Sequence, residues 1–492
     1  MIRLGVDVGN SGCKVAGYDE AGRMVALARR EYSFASRGVG QRELDAESIF
    51  ALVLDCLAEV AAGGVGRQVG ALAVSSQGEA IIPMDSAGRS LAPIQASFDA
   101  RSAGAVAQVY SQVDGTALEA ATGNPAHGMF SLYKLLTLRE FEPELYRRIR
   151  RIACFADWVA HRLGADLVMD YSLASRTSML DVSRRAWCGW LLAGLDLDPG
   201  LLPPLAPSGT GIGTLSADMA ARTGLSPQTV IATGGHDQIC CSLGAGIASP
   251  GQAMNSMGTT DTVLALASSS DKAAQIVGRG NAIGLGALDG YVLHGYVMST
   301  GSTTAWFGRT FQMGGHTLSS MAAAAWNGGK PSGIHFLPHM TGSGTPYLDV
   351  ASTGLFAGLS TESTPALMYR SVLEGMCFEL KDNLDLLAAA GAGTDTVTVL
   401  GGAAESDHYL QLKADIFGVP VQRAAVAEAG CLGAALLAGQ AEESADSLAE
   451  TVAQMRRLDQ TFDPDLGRHQ AYADLAAVHR RLYAASQSLA GG

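Results

Sequence analysis

The stretch that decides the fold is Ile231-Ala-Thr-Gly-Gly-His-Asp-Gln238, in which an apolar strand runs into two glycines and stops at Asp237. A carboxylate there lies at the end of a strand, beside a backbone that a ligand can approach closely. Open α/β sheets bind ligands at the carboxyl ends of their strands, so this position is typical of a catalytic group. The alternative is that Asp237 caps a helix predicted over residues 238–245. The stretch by itself leaves both interpretations open.

The length and composition of the chain indicate a multidomain α/β protein. Its 492 residues exceed what one hydrophobic core organises, so two or more domains of about 100–250 residues are expected. The net charge of −13 argues against a nucleic-acid partner, because phosphate backbones bind clustered Lys and Arg. We find no apolar run of the ~18–20 residues that span a bilayer, and no signal-peptide pattern at the N-terminus. The expectation is a cytoplasmic protein without a membrane partner.

A glycine turn near the N-terminus separates two predicted strands. Residues 2–8 predict a buried strand containing Asp7, and Gly9-Asn10-Ser11-Gly12 predicts the turn. Strands follow over residues 14–18 and 23–32, whereas the glycine loop of a Rossmann or Walker unit opens a helix. Backbone N–H groups, the polar side chains of the turn and the cation of Lys14 could together hold a phosphate.

The second half of the chain partly repeats this organisation. A strand pattern over residues 252–257 leads into Gly258-Thr259-Thr260, and another strand follows over residues 262–267. A long helix is predicted from Pro365 to about residue 390. It is followed by a strand whose end leads into Leu400-Gly-Gly-Ala-Ala-Glu-Ser406, a turn against which a flat base could pack.

This repeat predicts two similar α/β domains that face each other across a cleft. We place them at residues 1–247 and 248–492, with a hinge near residues 245–250. The first domain also contains a predicted helix after the N-cap Asp45, and a strand that delivers Gln77-Gly78-Glu79 at its end.

Each turn alone is most simply a structural turn, but their order and their positions at strand ends in two similar halves are specific. Together they resemble the FGGY family of carbohydrate kinases, in the actin/hexokinase-like superfamily, to about residue 440. The N-terminal turn matches the family pattern Asp-x-Gly-Thr-Thr/Ser-x-x-Lys/Arg, with Asn10 in place of the first Thr. The other matching segments are residues 98–101 (with Ser97 where the family has Trp), Lys134, and residues 170–177, 354–359, 369–375 and 428–435.

The resemblance implies an ATP-dependent kinase with two actin-like (ribonuclease H-like) domains facing each other across a catalytic cleft. It implies that Asp237 is the general base, which takes the proton from a sugar hydroxyl as this attacks the γ-phosphate. Asp7 would hold Mg²⁺ through water, because magnesium dehydrates reluctantly, with Asp237 as the second residue at the metal. The residues expected to bind the phosphates and adenosine of ATP are Gly9, Asn10, Ser11, Lys14, Gly258, Thr259, Thr260, Gly301, Gly402, Ala403 and Ser406.

Substrate choice depends on the segment Gln77-Gly78-Glu79, where xylulokinases carry Gln-Met-His and glycerol kinases carry Gln-Arg-Glu. Glu79 and Gln238 are glycerol-kinase-like, whereas Gly78 is expected to open space for a longer substrate. Ser97, which stands where the family has Trp, likewise leaves the expected substrate site without an aromatic side chain. The residues expected to contact the substrate are Gln77, Gly78, Glu79, Asp99, Asp237 and Gln238. A ketose such as xylulose is the leading prediction, and a related ketose, a polyol or a deoxysugar stays open.

Two other classes of protein share this fold. A catalytically inactive sensor would bind nucleotide or sugar without turnover, and it would not need both Asp7 and Asp237. An actin-like ATPase that remodels partners would lack sugar-binding groups such as Gln77 and Glu79. Kinases of this family are often dimers, so a homodimer is the corresponding expectation.

Overall fold

The computed structural model describes residues 1–36, 38, 40–258, 260–269, 278–298, 300–311, 317–442 and 447–490. Strands and helices are numbered here in chain order. Strands β1–β23 are Ile2–Val8, Gly12–Tyr18, Met24–Glu31, Glu43–Leu44, Val69–Ser76, Ile82–Met84, Ile94–Gln95, Arg151–Ala153, Met169–Asp170, Leu180–Asp181, Ala186–Trp187, Leu205–Ala206, Gly211–Thr214, Val230–His236, Gly251–Met257, Asp261–Ala267, Ala282–Leu285, Tyr291–Val297, His335–Leu337, Leu355–Ala357, Thr394–Leu400, Val421–Ala424 and Leu458–Phe462. Helices α1–α17 are Ala46–Val60, Ala103–Gln112, Gly115–Thr122, Ser131–Phe141, Pro143–Tyr146, Phe155–Leu163, Tyr171–Ser175, Gly189–Gly194, Ala217–Thr223, Asp237–Gly244, Thr300–Thr310, Leu318–Ala324, Pro365–Ala389, Asp407–Phe417, Ala429–Gln440, Leu448–Met455 and Leu466–Ala490.

The chain divides into two compact units. Unit 1 comprises residues 1–248, 283–291 and 427–456, and unit 2 comprises residues 249–282, 292–426 and 457–492. Short segments of the second half of the sequence therefore belong to unit 1. The predicted boundary at residues 247/248 stays a prediction.

Unit 1 is built on a six-stranded sheet in the order β13-β14-β5-β1-β2-β3. Strands β1, β2 and β3 are antiparallel neighbours, as the glycine turn predicts, while β5 and β14 run parallel to β1. The carboxyl ends of β1, β5 and β14 consequently lie at one edge of the sheet, where open α/β sheets bind ligands.

Unit 2 repeats this arrangement on a seven-stranded sheet in the order β17-β18-β16-β15-β21-β22-β23. Strands β15 and β16 form the antiparallel hairpin, β21 and β22 run parallel to β15, and β23 is an antiparallel edge strand. The C-terminal tail after about residue 440 has a mainly helical sequence pattern, which did not predict the strand β23. The internal repeat itself is confirmed, because both sheets combine an antiparallel hairpin, two parallel strands and an antiparallel edge.

One helical stretch, Ala46–Gln68, is long and apolar enough to cross a membrane by length and composition, which the sequence analysis did not find. Its side chains Ile49, Val53 and Leu57 are buried in the core of unit 1. Asp45 caps the helix by accepting the backbone N–H of Ser48, as predicted. The stretch is therefore a core helix of unit 1.

Candidate active site

Asp7 and Asp237 lie at the same edge of the unit 1 sheet. Asp7 pairs in register with Ser75 of β5, and Gly235 of β14 pairs with Ser75 from the other side. The hydroxyl of Ser75 donates to Asp7 Oδ1 at 3.0 Å. Asp237 is the first residue of α10, and its Oδ1 accepts the backbone N–H of Gln238 at 2.6 Å. The capping interpretation is wrong in detail, because His236 is the N-cap of α10 and Asp237 is its first helical residue. Asp237 also stands at the edge of the sheet where open α/β sheets bind ligands, and its catalytic role stays a prediction.

The surroundings of Asp237 suit a proton acceptor near neutral pH. Burial raises its pKa to about 7, and the negative charges of Asp7 and Glu79 act in the same direction. Its side chain still keeps 25% of its surface exposed. Burial likewise raises the pKa of Asp7, against the opposing hydrogen bond from Ser75 and the charge of Lys14. A base works best when its pKa lies close to the operating pH.

The first glycine turn is tightly closed. The N–H of Gly9 donates to the carbonyl of Gly12 at 3.0 Å, and the Tyr32 hydroxyl donates to the carbonyl of Gly9 at 2.6 Å. A Cβ on Gly12 would lie 2.7 Å from the Arg30 carbonyl oxygen, so strand packing requires this glycine. Ser11 is exposed at the tip of the turn.

Lys14 is engaged by a carboxylate from the far end of the sequence. Its Nζ lies 2.7 Å from Glu428 Oε2, and Arg29 contacts the other oxygen of Glu428 at 3.2 Å. The Lys14 side chain keeps 39% of its surface exposed. A phosphate approaching Lys14 would therefore compete with Glu428 for the ammonium group.

The loop that carries Glu79 is held from several sides. Glu79 has a φ of +59°, a left-handed backbone that is strained for this residue. Its carbonyl oxygen accepts hydrogen bonds from Ser131 Oγ at 3.0 Å and Lys134 Nζ at 3.3 Å. Its carboxylate accepts Arg176 Nε at 2.6 Å. The buried Lys134 thus fixes the loop. Arg176 lies in the matching segment 170–177, and its contact with the predicted site residue Glu79 was not predicted from the sequence.

The expectation that Gly78 opens space is wrong. A Cβ at this position would lie 2.8 Å from His236 Cδ2 and 3.0 Å from Arg176 Cβ, so both side chains already fill that space. Glycine is needed here because His236 and Arg176 approach the backbone closely. His236 was not predicted as a site residue. Its position directly before Asp237 is the sequence feature that could have indicated that it lies near the site.

Three buried polar atoms of predicted site residues have no hydrogen-bond partner within the described part of the chain: Asn10 Oδ1, Gln77 Nε2 and Gln238 Oε1. Buried polar groups normally form hydrogen bonds. The amide N–H of Gln77 and the amide oxygens of Asn10 and Gln238 are therefore available to bind a ligand. The other amide atom of Gln77, Oε1, accepts Ser97 Oγ at 3.3 Å.

Asp99 differs from these residues, because its carboxylate is fully used. It accepts the backbone N–H of Arg42 at 2.7 Å and pairs with the Arg101 guanidinium through both oxygens. Its side chain has 0% of its surface exposed. In this conformation Asp99 organises the loop before α2 and presents no oxygen to a substrate.

The second glycine turn, predicted to bind phosphate, is in unit 2 and lies beside a buried ion pair. Gly258 is exposed and Thr260 partly exposed, while Thr259 lies outside the described residues. Beneath the turn, Lys413 Nζ lies 3.2 Å from Asp261 Oδ2 and donates to Asn255 Oδ1 at 2.7 Å. This ion pair holds the β15–β16 hairpin against α14.

The predicted adenosine-binding residues are also in unit 2. Gly402 is exposed, and a Cβ there would meet no described atom within 4 Å, whereas Gly401 has a φ of +101° and lies against the Met257 carbonyl. Ser406 is buried and caps α14, its hydroxyl accepting the Tyr409 N–H at 3.4 Å. Gly301 and Ala403 are partly exposed, at the start of α11 and between β21 and α14.

The donor set at the edge of unit 1 fits a Mg²⁺ ion. Asp7 and Asp237 supply carboxylate oxygens, which magnesium prefers, and the charge of Asp7 already raises the pKa of Asp237. A divalent cation near both carboxylates would offset the repulsion between their negative charges. Among the described residues no group of three or more His, Cys, Asp or Glu is arranged to hold a metal. That agrees with an ion that keeps most of its waters and shares phosphate oxygens.

Comparison with known proteins gives the same family in both halves of the chain. Models for the N-terminal and C-terminal domains of the FGGY family of carbohydrate kinases match residues 2–244 and 253–442. The chain is 26% identical to a xylulose kinase of Bacillus subtilis (strain 168), over 99% of this chain and 97% of that protein. It is 28% identical to a xylulose kinase of Escherichia coli (strain K12), over 98% of each. A glycerol kinase of Aromatoleum aromaticum is 28% identical over 97% of each.

Solved structures resemble the whole chain. A gluconate kinase from Lactobacillus acidophilus superimposes with a TM-score of 0.91 at 25% identity, covering 98% of each chain. A ligand-bound xylulose kinase from the same organism gives a TM-score of 0.90 at 25% identity, covering 98% of this chain and 97% of that one. The substrates named for these relatives differ from one another.

Proposed function

Because the chain belongs to the FGGY family of carbohydrate kinases, we propose that it phosphorylates a hydroxyl of a small ketose such as xylulose, with Asp237 as the general base. The family makes ATP the co-substrate. The observation that carries the proposal is the position of Asp237 at the ligand-binding edge of unit 1, with its pKa raised to about 7. A cytoplasmic location and a homodimer remain part of the prediction.

Each step of the proposed reaction is assigned to residues of one unit or the other. In unit 1, Asp237 accepts the proton of the sugar hydroxyl, and Gln77, Glu79 and Gln238 bind the other hydroxyls. Asp7 and Asp237 would hold Mg²⁺, which neutralises phosphate charge when bound. The phosphates of ATP are assigned to Gly9, Asn10, Ser11 and Lys14 of unit 1 and to Gly258, Thr259 and Thr260 of unit 2, and its adenosine to Gly301, Gly402 and Ala403. Asp99 and Ser406 are left out of the binding groups, because their side chains are buried and occupied by contacts within the chain.

The substrate is proposed from two independent supports. Relatives named xylulose kinase align along nearly the full length of the chain. The open amide of Gln77 and the carboxylate of Glu79 offer donor and acceptor groups of the kind that bind sugar hydroxyls. A polyol is the second candidate, because Glu79 and Gln238 are glycerol-kinase-like and a glycerol kinase is similarly related. A deoxysugar kinase remains a third reading within the same family.

The test is ADP release with Mg-ATP across a panel of ketoses, aldoses and polyols. We expect a strong response to xylulose or a close relative, and a ~10²–10⁴-fold loss of kcat in Asp237→Asn, because that variant lacks the proton acceptor. Asp218→Asn, at an exposed position of α9, is the matched control and should retain wild-type turnover.

Two outcomes would contradict the proposal. Full activity in Asp237→Asn would remove the assigned base. A protein that binds ATP but responds to no compound of the panel would favour the inactive sensor.

A further inference from the structure

The side chains of His236 and Arg176 both pack closely against the backbone of Gly78. A Cβ on Gly78 would lie 2.8 Å from His236 Cδ2 and 3.0 Å from Arg176 Cβ and Cγ. Real Cβ atoms do not approach the aromatic ring that closely, so any residue other than glycine at position 78 would move the imidazole or the arginine stem. The three residues therefore form one interlocked contact, named here the Gly78–His236–Arg176 contact.

The same imidazole reaches the carboxylate of Asp237. His236 Nε2 lies 3.2 Å from Asp237 Oδ1, within hydrogen-bond distance. The backbone of His236 is fixed as well, since its N–H donates to Ser172 Oγ at 2.9 Å and Ser172 Oγ in turn donates to Asp170 at 2.5 Å.

These contacts hold one oxygen of the carboxylate and leave the other open. Oδ1 accepts the N–H of Gln238 at 2.6 Å and faces His236 Nε2. Oδ2 accepts no hydrogen bond from the residues that the structure describes. A carboxylate fixed through one oxygen presents the other in a defined direction, which is what proton transfer from a bound hydroxyl requires.

We propose that His236 is a positioning residue that orients Asp237 for proton transfer, and that Gly78 is glycine in this chain because it seats the His236 ring. The inference rests on the proposed function, since it assigns Asp237 as the base. It reverses the first interpretation of Gly78: the missing side chain serves the catalytic carboxylate and leaves the substrate no additional room. The Glu79 carboxylate belongs to the same assembly through Arg176.

The experiment compares two substitutions that differ in their donor group. His236→Phe keeps a ring against Gly78 but removes the N–H, whereas His236→Gln places an amide N–H at a similar reach. With D-xylulose and Mg-ATP, or the acceptor that the panel identifies, we expect His236→Phe to lower kcat about 10–100-fold. The KM for ATP and the thermal unfolding midpoint should change little. His236→Gln should recover most of the lost kcat.

Two further variants separate positioning from a purely structural effect. In an Asp237→Asn background, His236→Phe should cause no additional loss of kcat, because residues that act as a unit are non-additive. Gly78→Ala should lower kcat in the wild-type background and add little to His236→Phe. The matched control is His479→Phe in α17, a buried histidine whose two ring nitrogens have no partner in the described part of the chain. We expect it to keep wild-type kcat.

The outcomes distinguish this inference from the proposed function. An active wild-type protein in which His236→Phe keeps its kcat would overturn the positioning assignment alone. An equal loss in His236→Phe and His236→Gln, accompanied by a lower unfolding midpoint, would also overturn it. A wild-type protein that phosphorylates no acceptor overturns both.

Discussion

The proton affinity of Asp237 is set by neighbours of both signs. Burial is the largest cause of its raised pKa, followed by the charges of Asp7 and Glu79, while the Gln238 N–H and the Arg176 charge oppose them. Glu79 in turn is paired with Arg176 through a hydrogen bond of 2.6 Å. Because these charges are coupled, a change at Glu79 is expected to alter the pKa of Asp237 as well as the binding of the proposed substrate.

Glu79→Gln is therefore expected to weaken sugar binding while sparing ATP. The amide keeps the shape of the side chain but loses the negative charge that pairs with Arg176 and that would strengthen hydrogen bonds from sugar hydroxyls. We expect the KM for the sugar to rise about 10-fold or more, as a charged hydrogen bond is worth about 1.5–3 kcal/mol. The KM for ATP should change less than about 2-fold, which is the size of effect expected for a substitution that removes no contact with ATP.

Steady-state kinetics with each substrate varied in turn measure both constants. Glu140→Gln, at an exposed position of α4, is the control of the same chemical change. Equal changes in the KM for the sugar and the KM for ATP would indicate that Glu79 is a loop residue without a role in sugar binding.

Lys14 gives a second residue-scale prediction. Its ammonium group is held by Glu428 at 2.7 Å and partly exposed, so a phosphate can compete for it. Lys14→Met should raise the KM for Mg-ATP about 10-fold and leave the KM for the sugar unchanged, as expected for the loss of one charge-assisted hydrogen bond. Glu428→Gln, which releases Lys14, should not raise the KM for Mg-ATP. A normal KM for Mg-ATP in Lys14→Met would show that the lysine only ties the hairpin to Glu428.

At the scale of the element, α15 explains how a late segment of sequence becomes part of unit 1. Its residues from Ala429 to Gly439 are all buried. A Cβ on Gly433 would lie 1.9 Å from the Cys240 carbonyl oxygen of α10, and a Cβ on Gly5 of β1 would lie 1.8 Å from the Cys431 carbonyl oxygen. Glycines thus allow α15 to touch both α10 and β1 at backbone distance, and this places Glu428 beside Lys14.

Gly433→Ala should therefore destabilise unit 1. The added methyl group cannot be accommodated without separating α15 from α10, and overpacking of this kind costs about 1–3 kcal/mol or more. Urea or thermal unfolding measures the change. Gly104→Ala in α2 is the matched control, since a Cβ there meets nothing within 4 Å among the described residues, and it should stabilise by up to about 1 kcal/mol. Equal stability of the two variants would contradict the close packing of α15.

At the scale of the whole molecule, the sequence contained enough signal for the repeated architecture. Glycine turns between apolar runs predicted both hairpins, and the long periodic pattern after Pro365 predicted α13, observed as Pro365–Ala389. The strand β23 was missed because Leu458–Phe462 is a short, mostly exposed edge strand within a tail of helical pattern, and its partner β22 comes well before it in the chain.

The parts of the site that escaped prediction depend on contacts between distant segments. Arg176 lies 97 residues from Glu79, and Glu428 lies 414 residues from Lys14. No local pattern encodes such a pairing, which arises only when β5, α7, β2 and α15 are packed. Gly78 was misread for the same reason, because the space that glycine leaves is filled by a side chain from another strand.

A pair of buried acids in unit 1 makes the stability of the protein depend on pH. Burial raises the pKa of Asp170 to about 6, and burial together with the charge of Asp170 raises the pKa of Asp157 well above its ordinary value. Burial also raises the pKa values of Asp7 and Asp237. Between the unfolded value of about 4 and these raised values, the folded state binds more protons than the unfolded state. The free energy of unfolding therefore falls as pH rises through this range.

Urea unfolding at pH 5, 6, 7 and 8 tests this dependence on the transition that reports unit 1. Asp170 alone should account for a loss of about 1–2 kcal/mol between pH 5 and 8, with the other acids adding in the same direction. Asp157→Asn removes one titrating group, so the free energy of unfolding should fall less steeply with pH. The hydrogen bond at this position is kept, because the amide oxygen of Asn can accept the Cys154 N–H that Asp157 accepts at 3.0 Å. Asp218→Asn, an exposed aspartate, should leave the slope unchanged. A free energy of unfolding that rises between pH 5 and 8 would contradict the raised pKa values of these acids, because it would mean that the folded state binds fewer protons than the unfolded state.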